Sequence, residues 1–218
     1  MCRANIRLQQ EKTSDHRIVE ELTREAFWNH HVPGCNEHYL VHIMRDSESF
    51  IKELDIVAIE NDKIVGNIMY TKATILCDNG NKYPVISFGP ISVLPGHQGQ
   101  GIGSALIQYT KQLAKEMGYK AILIYGDPAY YAKSGFVGAE TYKIGTPDHM
   151  YAVPLLALEL IEGALSNCPG RFFEDPVFEI DEAAAKDFDN GFPYKELQDS
   201  LPSQERFLKL VQMRTPRL

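Results

Sequence analysis

The chain has 218 residues, of which 44% are hydrophobic and 23% are charged, and its formal net charge is −7 at pH 7. This composition is typical of a globular protein that is large enough to bury a core without disulfides. The acidic balance argues against nucleic acid as the main partner and is compatible with a cationic acceptor such as an amine. No apolar run reaches the roughly 18 residues of a membrane span, so no membrane contact is predicted.

The cysteines are too scattered to form a metal or redox pair of the C-x-x-C type. They are Cys2, Cys35, Cys77 and Cys168. We expect free thiols in a reducing compartment, and no metal site is predicted. The N-terminal residues lack the apolar stretch of a signal segment, so the sequence predicts a cytoplasmic protein.

The chain begins with a pattern of one strand and two helices. A weakly alternating strand is expected over 4–9, and Ser14 and Asp15 can cap a helix that ends near Trp28. A second helix is predicted over 36–50, because its apolar residues recur at helical spacing.

Three strands follow these helices. Strands over 54–59 and 64–71 are predicted to form a hairpin around a turn at 61–63. A second turn at 78–81, rich in asparagine and glycine, leads to a strand over 83–94.

A glycine-rich loop joins this last strand to the next helix, and it is the most informative segment of the chain. Its glycines let the backbone turn tightly and let an anion approach the amides. The first turn of the following helix adds unpaired N–H groups and the positive end of the helix dipole. The loop therefore predicts a pyrophosphate cradle. The expected binding residues are Gln98, Gly99, Gln100, Gly101, Ile102, Gly103 and Ser104.

Other ligand-binding loops fit this segment less well. A phosphate-binding P-loop needs Lys and then Ser or Thr after its last glycine, and no Lys is present here. A dinucleotide loop needs G-x-G-x-x-G, and counting from Gly99 places Ser104 where glycine or alanine is required. A plain β-to-α turn without a ligand stays open as an alternative.

The helix after the loop carries an apolar stripe that includes Tyr109 and Met117, and it is predicted to end at Gly118. An apolar strand over 121–125 follows it. A short helix from Asp127 to Tyr131 and two strands complete this part, and the strands are expected over 136–143 and 151–159.

Two segments together resemble the GNAT superfamily of acyl-CoA-dependent N-acetyltransferases. Gln98-x-x-Gly101-x-Gly103 is similar to the Gln/Arg-x-x-Gly-x-Gly/Ala loop of that family, and Tyr131-x-x-x-Gly135-Phe136 is similar to its Tyr-x-x-x-Gly-Phe signature. The segments occur in the family's order, and the resemblance covers roughly residues 3–160.

Spacing alone supports a mixed α/β fold with a largely antiparallel sheet. The resemblance implies more: a central, mostly antiparallel sheet of six to seven strands flanked by helices, formed by residues 1–162. Residues 163–218 form a C-terminal extension with an amphipathic helix near 202–213. Its phenylalanines indicate that it packs on the domain or on a second copy of the chain, which would make a homodimer.

The resemblance also implies acetyl-CoA as cosubstrate and a primary amine, small or peptidic, as acceptor, with direct attack in a ternary complex. It assigns backbone contacts with the pantetheine arm to Ile91, Ser92 and Val93. A β-bulge at Gly89-Pro90 would open the edge of that strand. Tyr131 is the expected acid that protonates the departing thiolate.

The general base is not identified by the sequence. Some relatives carry Glu on the fourth strand where this chain has Ser87. His97 is interpreted as a loop residue, and Asp127 as a helix cap, with a ligand contact as its alternative. The resemblance implies that the segment with the histidines at 30, 31 and 38 borders the acceptor, and these histidines are interpreted as ordinary polar residues. A non-catalytic acyl-CoA binding or sensing domain therefore stays open as an alternative function.

Overall fold

The structure is a computed structural model that describes residues 6–217. Cys2 and the first residues of the predicted strand over 4–9 lie outside the described residues. The helices are α1 (His16–Phe27), α2 (Glu37–Met44), α3 (Ile102–Glu116), α4 (Pro128–Tyr131), α5 (Glu182–Asp189) and α6 (Pro202–Gln212). The strands are β1 (Arg7–Gln10), β2 (Ile56–Glu60), β3 (Lys63–Cys77), β4 (Lys82–Val93), β5 (Ala121–Tyr125), β6 (Val137–Gly138), β7 (Ile144–Gly145), β8 (Met150–Ala152), β9 (Leu155–Glu159), β10 (Gly170–Phe173) and β11 (Arg214–Pro216).

One large sheet dominates the described part of the chain. Its main path has seven strands in the order β1-β2-β3-β4-β5-β9-β6, and most neighbours are antiparallel. β10 pairs with β3 and with β7, which brings the sheet to nine strands, and β8 and β11 form a separate pair. The predicted fold class, a mixed α/β protein with a mostly antiparallel sheet flanked by helices, is confirmed.

The middle of the sheet is splayed between two neighbouring strands. β4 and β5 run parallel, and within residues 6–217 their ladder is confined to Ile86 and Ile122. On its other side, β4 stays paired with β3 as far as Val93. Because β5 diverges, the edge of β4 that faces it is left without a strand partner beyond Ile86.

Helix α3 covers one face of the sheet, where Leu106 and Ile107 are fully buried. The predicted apolar stripe is partly wrong, since Tyr109 is 39% exposed and Met117, beyond the last helical residue, is 42% exposed. Thr110 takes the inward position instead, because it lies one helical turn after the buried Leu106. Its hydroxyl lies 2.8 Å from the buried Tyr70 hydroxyl.

Two predicted elements are shorter than expected. The helix over 36–50 ends at Met44, because the next residues form turns and the Arg45 guanidinium bonds back to the Val41 carbonyl. The strand over 136–143 is limited to Val137–Gly138, since a 3-10 helix begins at Ala139. Lys143, which follows that helix, has a left-handed φ of 55°.

The C-terminal extension packs on the rest of the chain. β10 continues the large sheet beyond the expected boundary at residue 162. Asp189 forms an ion pair with Arg24 of α1 at 2.6 Å, and α6 places Arg206 on Asp127. Among the described residues, no helix has the length and apolar character needed to cross a membrane.

Candidate active site

The glycine-rich loop lies at the open end of the splayed strands and leads into α3. Gly99 and Gly101 have φ angles of 73° and 89°, which place both in the left-handed region that favours glycine. Gly101 is the N-cap of α3, and a Cβ atom at either glycine would meet no atom within 4 Å. The loop therefore borders open space at Gly99 and Gly101, as an anion site requires.

The glutamine side chains brace this loop. The Gln98 amide donates to the Val93 carbonyl at 3.0 Å, and the Gln100 amide donates to the Gly96 carbonyl at 3.1 Å. Both glutamine side chains are therefore engaged in hydrogen bonds to neighbouring backbone carbonyls. The backbone groups of Gln98, Gln100, Ile102, Gly103 and Ser104 remain as candidate ligands from the predicted set.

The predicted β-bulge is confirmed on β4. Ile68 pairs with Ile91 and Tyr70 pairs with Phe88, so an interval of three residues on β4 lies opposite an interval of two residues on β3. The extra residue falls at Gly89-Pro90, immediately before the predicted pantetheine contacts.

Only backbone groups are free at the centre of those contacts. Ser92 is fully buried, and its hydroxyl donates to the Thr23 hydroxyl of α1 at 3.0 Å. Ile91 and Val93 pack their side chains against the core on the α3 side. The open edge of this segment can therefore offer peptide groups to an extended ligand, as an edge strand does.

Tyr131 lies beside the splayed strands at the end of α4. Its ring centroid is 5.8 Å from that of Phe88 and 5.7 Å from that of Phe136. The ring covers Gly126, where a Cβ atom would overlap it. Burial raises the pKa of Tyr131, so the phenol keeps its proton at neutral pH.

Tyr130 has a position that the sequence did not indicate. Its hydroxyl lies against Gly103 in the first turn of α3, so closely that a Cβ atom there would overlap it. The residue is 51% exposed. The two adjacent tyrosines thus lie in different places: Tyr130 is at the N-terminus of α3, and Tyr131 is beside β4.

The remaining polar candidates have structural partners. Asp127 accepts a hydrogen bond from the Ala129 amide at 2.9 Å, which confirms it as the helix cap. His97 lies 3.0 Å from Glu60, consistent with a loop residue. His38 is fully buried and lies 3.0 Å from Asp189, so it is held in an internal polar cluster.

The Glu174 carboxylate of the C-terminal extension lies beside Ser87, the position at which some relatives carry a Glu. Ser87 is fully buried on β4, and its hydroxyl is directed to the Glu174 carboxylate at a long 3.5 Å. Burial raises the pKa of Glu174 to about 7, against a smaller opposing effect of the Ser87 hydroxyl. The sequence carried no signal for this pair, because 87 residues separate the two positions.

A sheet splayed between two strands, a glycine-rich loop at the N-terminus of a helix and a tyrosine beside them are the features of the GNAT class. The model of the Acetyltransferase (GNAT) family matches residues 16–136, which is more than half of the chain. The protein therefore belongs to the GNAT acetyltransferase family.

Curated relatives come from Escherichia coli. Over 123 residues the chain is 31% identical to the uncharacterized N-acetyltransferase YjhQ of strain K12, a match that covers 56% of this chain and 65% of YjhQ. It is 28% identical over 119 residues to the uncharacterized N-acetyltransferase YhbS of the same strain, covering 54% and 65%. The chain thus spans just under two thirds of the length of these relatives.

Solved structures share the fold. YhbS from Escherichia coli in complex with CoA has a TM-score of 0.69 at 23% identity, covering 82% of this chain and 93% of that one. A GNAT family acetyltransferase from Brucella melitensis in complex with acetyl-CoA has a TM-score of 0.64 at 22% identity, covering 80% and 99%. At these identities the likeness concerns the fold.

Proposed function

We propose that the protein transfers an acetyl group from acetyl-CoA to a primary amine by direct attack within a ternary complex. The observation that carries this proposal is the open edge of β4, which runs from the amide cradle at Gly101 to the Tyr131 phenol. Membership of the GNAT family and the CoA-bound neighbours support it.

The cosubstrate is held mainly by backbone groups. The pyrophosphate is bound by the amides from Gly99 to Ser104, where unpaired N–H groups and the helix dipole both favour an anion. The pantetheine amides pair with the backbone of Ile91 and Val93 as an added strand would. This arrangement directs the thioester toward Phe88 and Tyr131.

The chemistry requires a neutral amine and a protonated leaving group. The amine nitrogen attacks the thioester carbon, the C–N bond forms, and collapse of the tetrahedral intermediate breaks the C–S bond. Tyr131 donates its proton to the departing thiolate, since a phenol held in its protonated form can act as the acid. In the same collapse the nitrogen passes its extra proton to the Tyr131 phenolate, which restores the phenol.

A panel of primary amines with acetyl-CoA, monitored by release of free thiol, tests the activity. The panel should include alkyl diamines, arylalkylamines, amino acids and peptides. We expect thiol release that depends on at least one amine. Binding of CoA without transfer to any amine would instead support the alternative, a non-catalytic acyl-CoA binding domain, which the absence of Glu at Ser87 favours.

The charge at the N-terminus of α3 can be changed by a substitution at Gly101, and an uncharged substitution of similar size serves as the control. Both Asp and Asn tolerate the left-handed conformation of Gly101, and a Cβ atom there has open space. We expect Gly101→Asp to weaken CoA binding about 10-fold or more, because a carboxylate repels the pyrophosphate. Gly101→Asn should have a much smaller effect in the same calorimetric titration. Equal Kd values for the two variants would contradict the placement of the pyrophosphate.

The Tyr131 hydroxyl can be removed without changing the ring. We expect Tyr131→Phe to lower kcat about 100-fold, as loss of a general acid does, while the Kd of acetyl-CoA changes little. The ring contacts with Phe88 and Phe136 are retained in this variant. The measurement is steady-state thiol release beside calorimetry. If chemistry limits turnover and kcat is unchanged, Tyr131 is not the acid.

A further inference from the structure

We propose that Glu174, supplied by the C-terminal extension, is the general base that deprotonates the acceptor amine. The inference rests on the proposed acetyl transfer and deepens it. The carboxylate that some relatives carry on the fourth strand, at the position of Ser87, would here come from the extension.

The strand register places Glu174 on the same face of the sheet as Ser87. Ser87 pairs with Thr71 of β3, and Ile75, four residues further along β3, pairs with Phe172 of β10. Side chains of residues two apart share a face, so Ser87, Ile75 and Phe172 point the same way. Glu174 continues that alternation just beyond β10, and its carboxylate reaches across β3 to Ser87.

The carboxylate lies in a polar cluster at the open part of the sheet. The Thr71 hydroxyl, opposite Ser87, is fully buried and has no hydrogen-bond partner among the described residues. Such a group is unusual in a folded interior and indicates that a polar ligand or water completes the cluster. Glu174 itself is only partly buried, and it lines an open cleft together with Lys72, Lys82 and Phe173.

Neighbouring groups connect this cluster to the end of β5. The Tyr125 ring lies 6.0 Å from the Phe172 ring and is 41% exposed. Burial raises the pKa of Tyr125, and the Glu174 charge adds to that effect while Arg214 opposes it. The Glu174 carboxylate therefore lies close enough to Tyr125, at the end of β5, for its charge to act on that phenol.

The turn that carries Glu174 is rigidly held. The Asp175 carboxylate accepts hydrogen bonds from the Val177 amide at 2.9 Å and from the Ser47 hydroxyl at 3.1 Å. This turn joins the extension to the segment after α2. A general base must be held within hydrogen-bond reach of its proton, and this anchoring supplies that precision.

The protonation state suits the role. Burial raises the pKa of Glu174 to about 7, so near neutral pH the group can accept a proton from an ammonium and release it again. In the proposed step, the Glu174 carboxylate takes one proton from R–NH₃⁺, which leaves R–NH₂ to attack the thioester carbon. The second nitrogen proton passes to the Tyr131 phenolate on collapse of the intermediate, and Glu174 later returns its proton to solvent.

The test compares Glu174→Gln with the wild-type chain over a pH series, using the primary amine that releases most thiol. We expect kcat at pH 7 to fall about 100-fold. We expect the limb of the wild-type profile near pH 7 to disappear, while the Kd of CoA and the Tm stay close to wild type. Glu179→Gln is the matched control, because Glu179 is an exposed carboxylate in the same segment. It should leave the profile unchanged.

A second variant tests relocation of the base. Ser87→Glu in the Glu174→Gln background places a carboxylate on β4, and we expect it to restore part of kcat and the pH-dependent limb. If Glu174→Gln does not fold, Glu174→Asp takes its place, with a reduced kcat expected. An active wild type whose kcat and pH profile survive Glu174→Gln would overturn the assignment. A wild type that is inactive with every amine would overturn the proposed function itself.

Discussion

Replacing Asp189 with alanine is expected to lower the free energy of unfolding by about 3–5 kcal/mol, the cost of leaving a buried charge without its partner. Asp189 lies 2.6 Å from Arg24, whose side chain is only 4% exposed. The fully buried His38 lies 3.0 Å from the same carboxylate. The variant leaves the Arg24 guanidinium in the interior between α1 and α5 with no counterion.

Thermal unfolding followed by circular dichroism measures this loss. For a chain of this size the expected change corresponds to ~10 °C in Tm. Glu25→Ala is the matched control, because Glu25 also joins α1 to the extension through an ion pair with Lys195. That pair is solvent-exposed, so we expect a change of about 1 kcal/mol or less. Similar losses in the two variants would contradict the role given to burial.

Gly170→Ala is expected to destabilise the chain by about 3 kcal/mol through overpacking against a backbone that has nowhere to move. A Cβ atom at Gly170 would overlap the Leu76 carbonyl oxygen and would lie 2.7 Å from the Cα of Cys77. Both atoms belong to β3, which is paired on its other side with β4. β10 would therefore have to move away from the sheet.

Chemical denaturation and thiol release together measure this effect. Since Glu174 follows β10 directly, we expect kcat to fall with stability in Gly170→Ala. Gly138→Ala is the control, because Gly138 is also in a strand and a Cβ atom there meets nothing within 4 Å. Its stability should stay within ~0.5 kcal/mol of wild type. A stable Gly170→Ala would show that β10 is not fixed at this register.

The features that sequence reasoning located are local ones. The loop from Gln98 to Ser104 is recognisable because its glycines, the preceding strand and the following helix are contiguous. The Asp127 cap and the bulge at Gly89-Pro90 are likewise set by neighbouring residues, and the structure confirms both. The roles proposed for Tyr131 and for the loop amides stay predictions that the variants above address.

The features that were missed depend on pairing between distant segments. The contact between Ser87 and Glu174 requires β10 to lie beside β3, and no local pattern specifies which strand a four-residue segment will join. The contact between the Thr110 and Tyr70 hydroxyls likewise joins positions that are 40 residues apart. Periodicity alone favours the more hydrophobic neighbour at such a position.

The pairing of β10 with β3 also bears on how the chain behaves when it is shortened. β3 is 15 residues long, and β2 pairs with its first part only, as far as Ile68. β10 occupies the same edge from Thr74 to Cys77. A fragment that stops before the extension would present unsatisfied peptide groups beside buried apolar residues, a template for intermolecular strand addition. We expect such a fragment to aggregate, because the β3 edge that β10 covers in the full chain would be exposed.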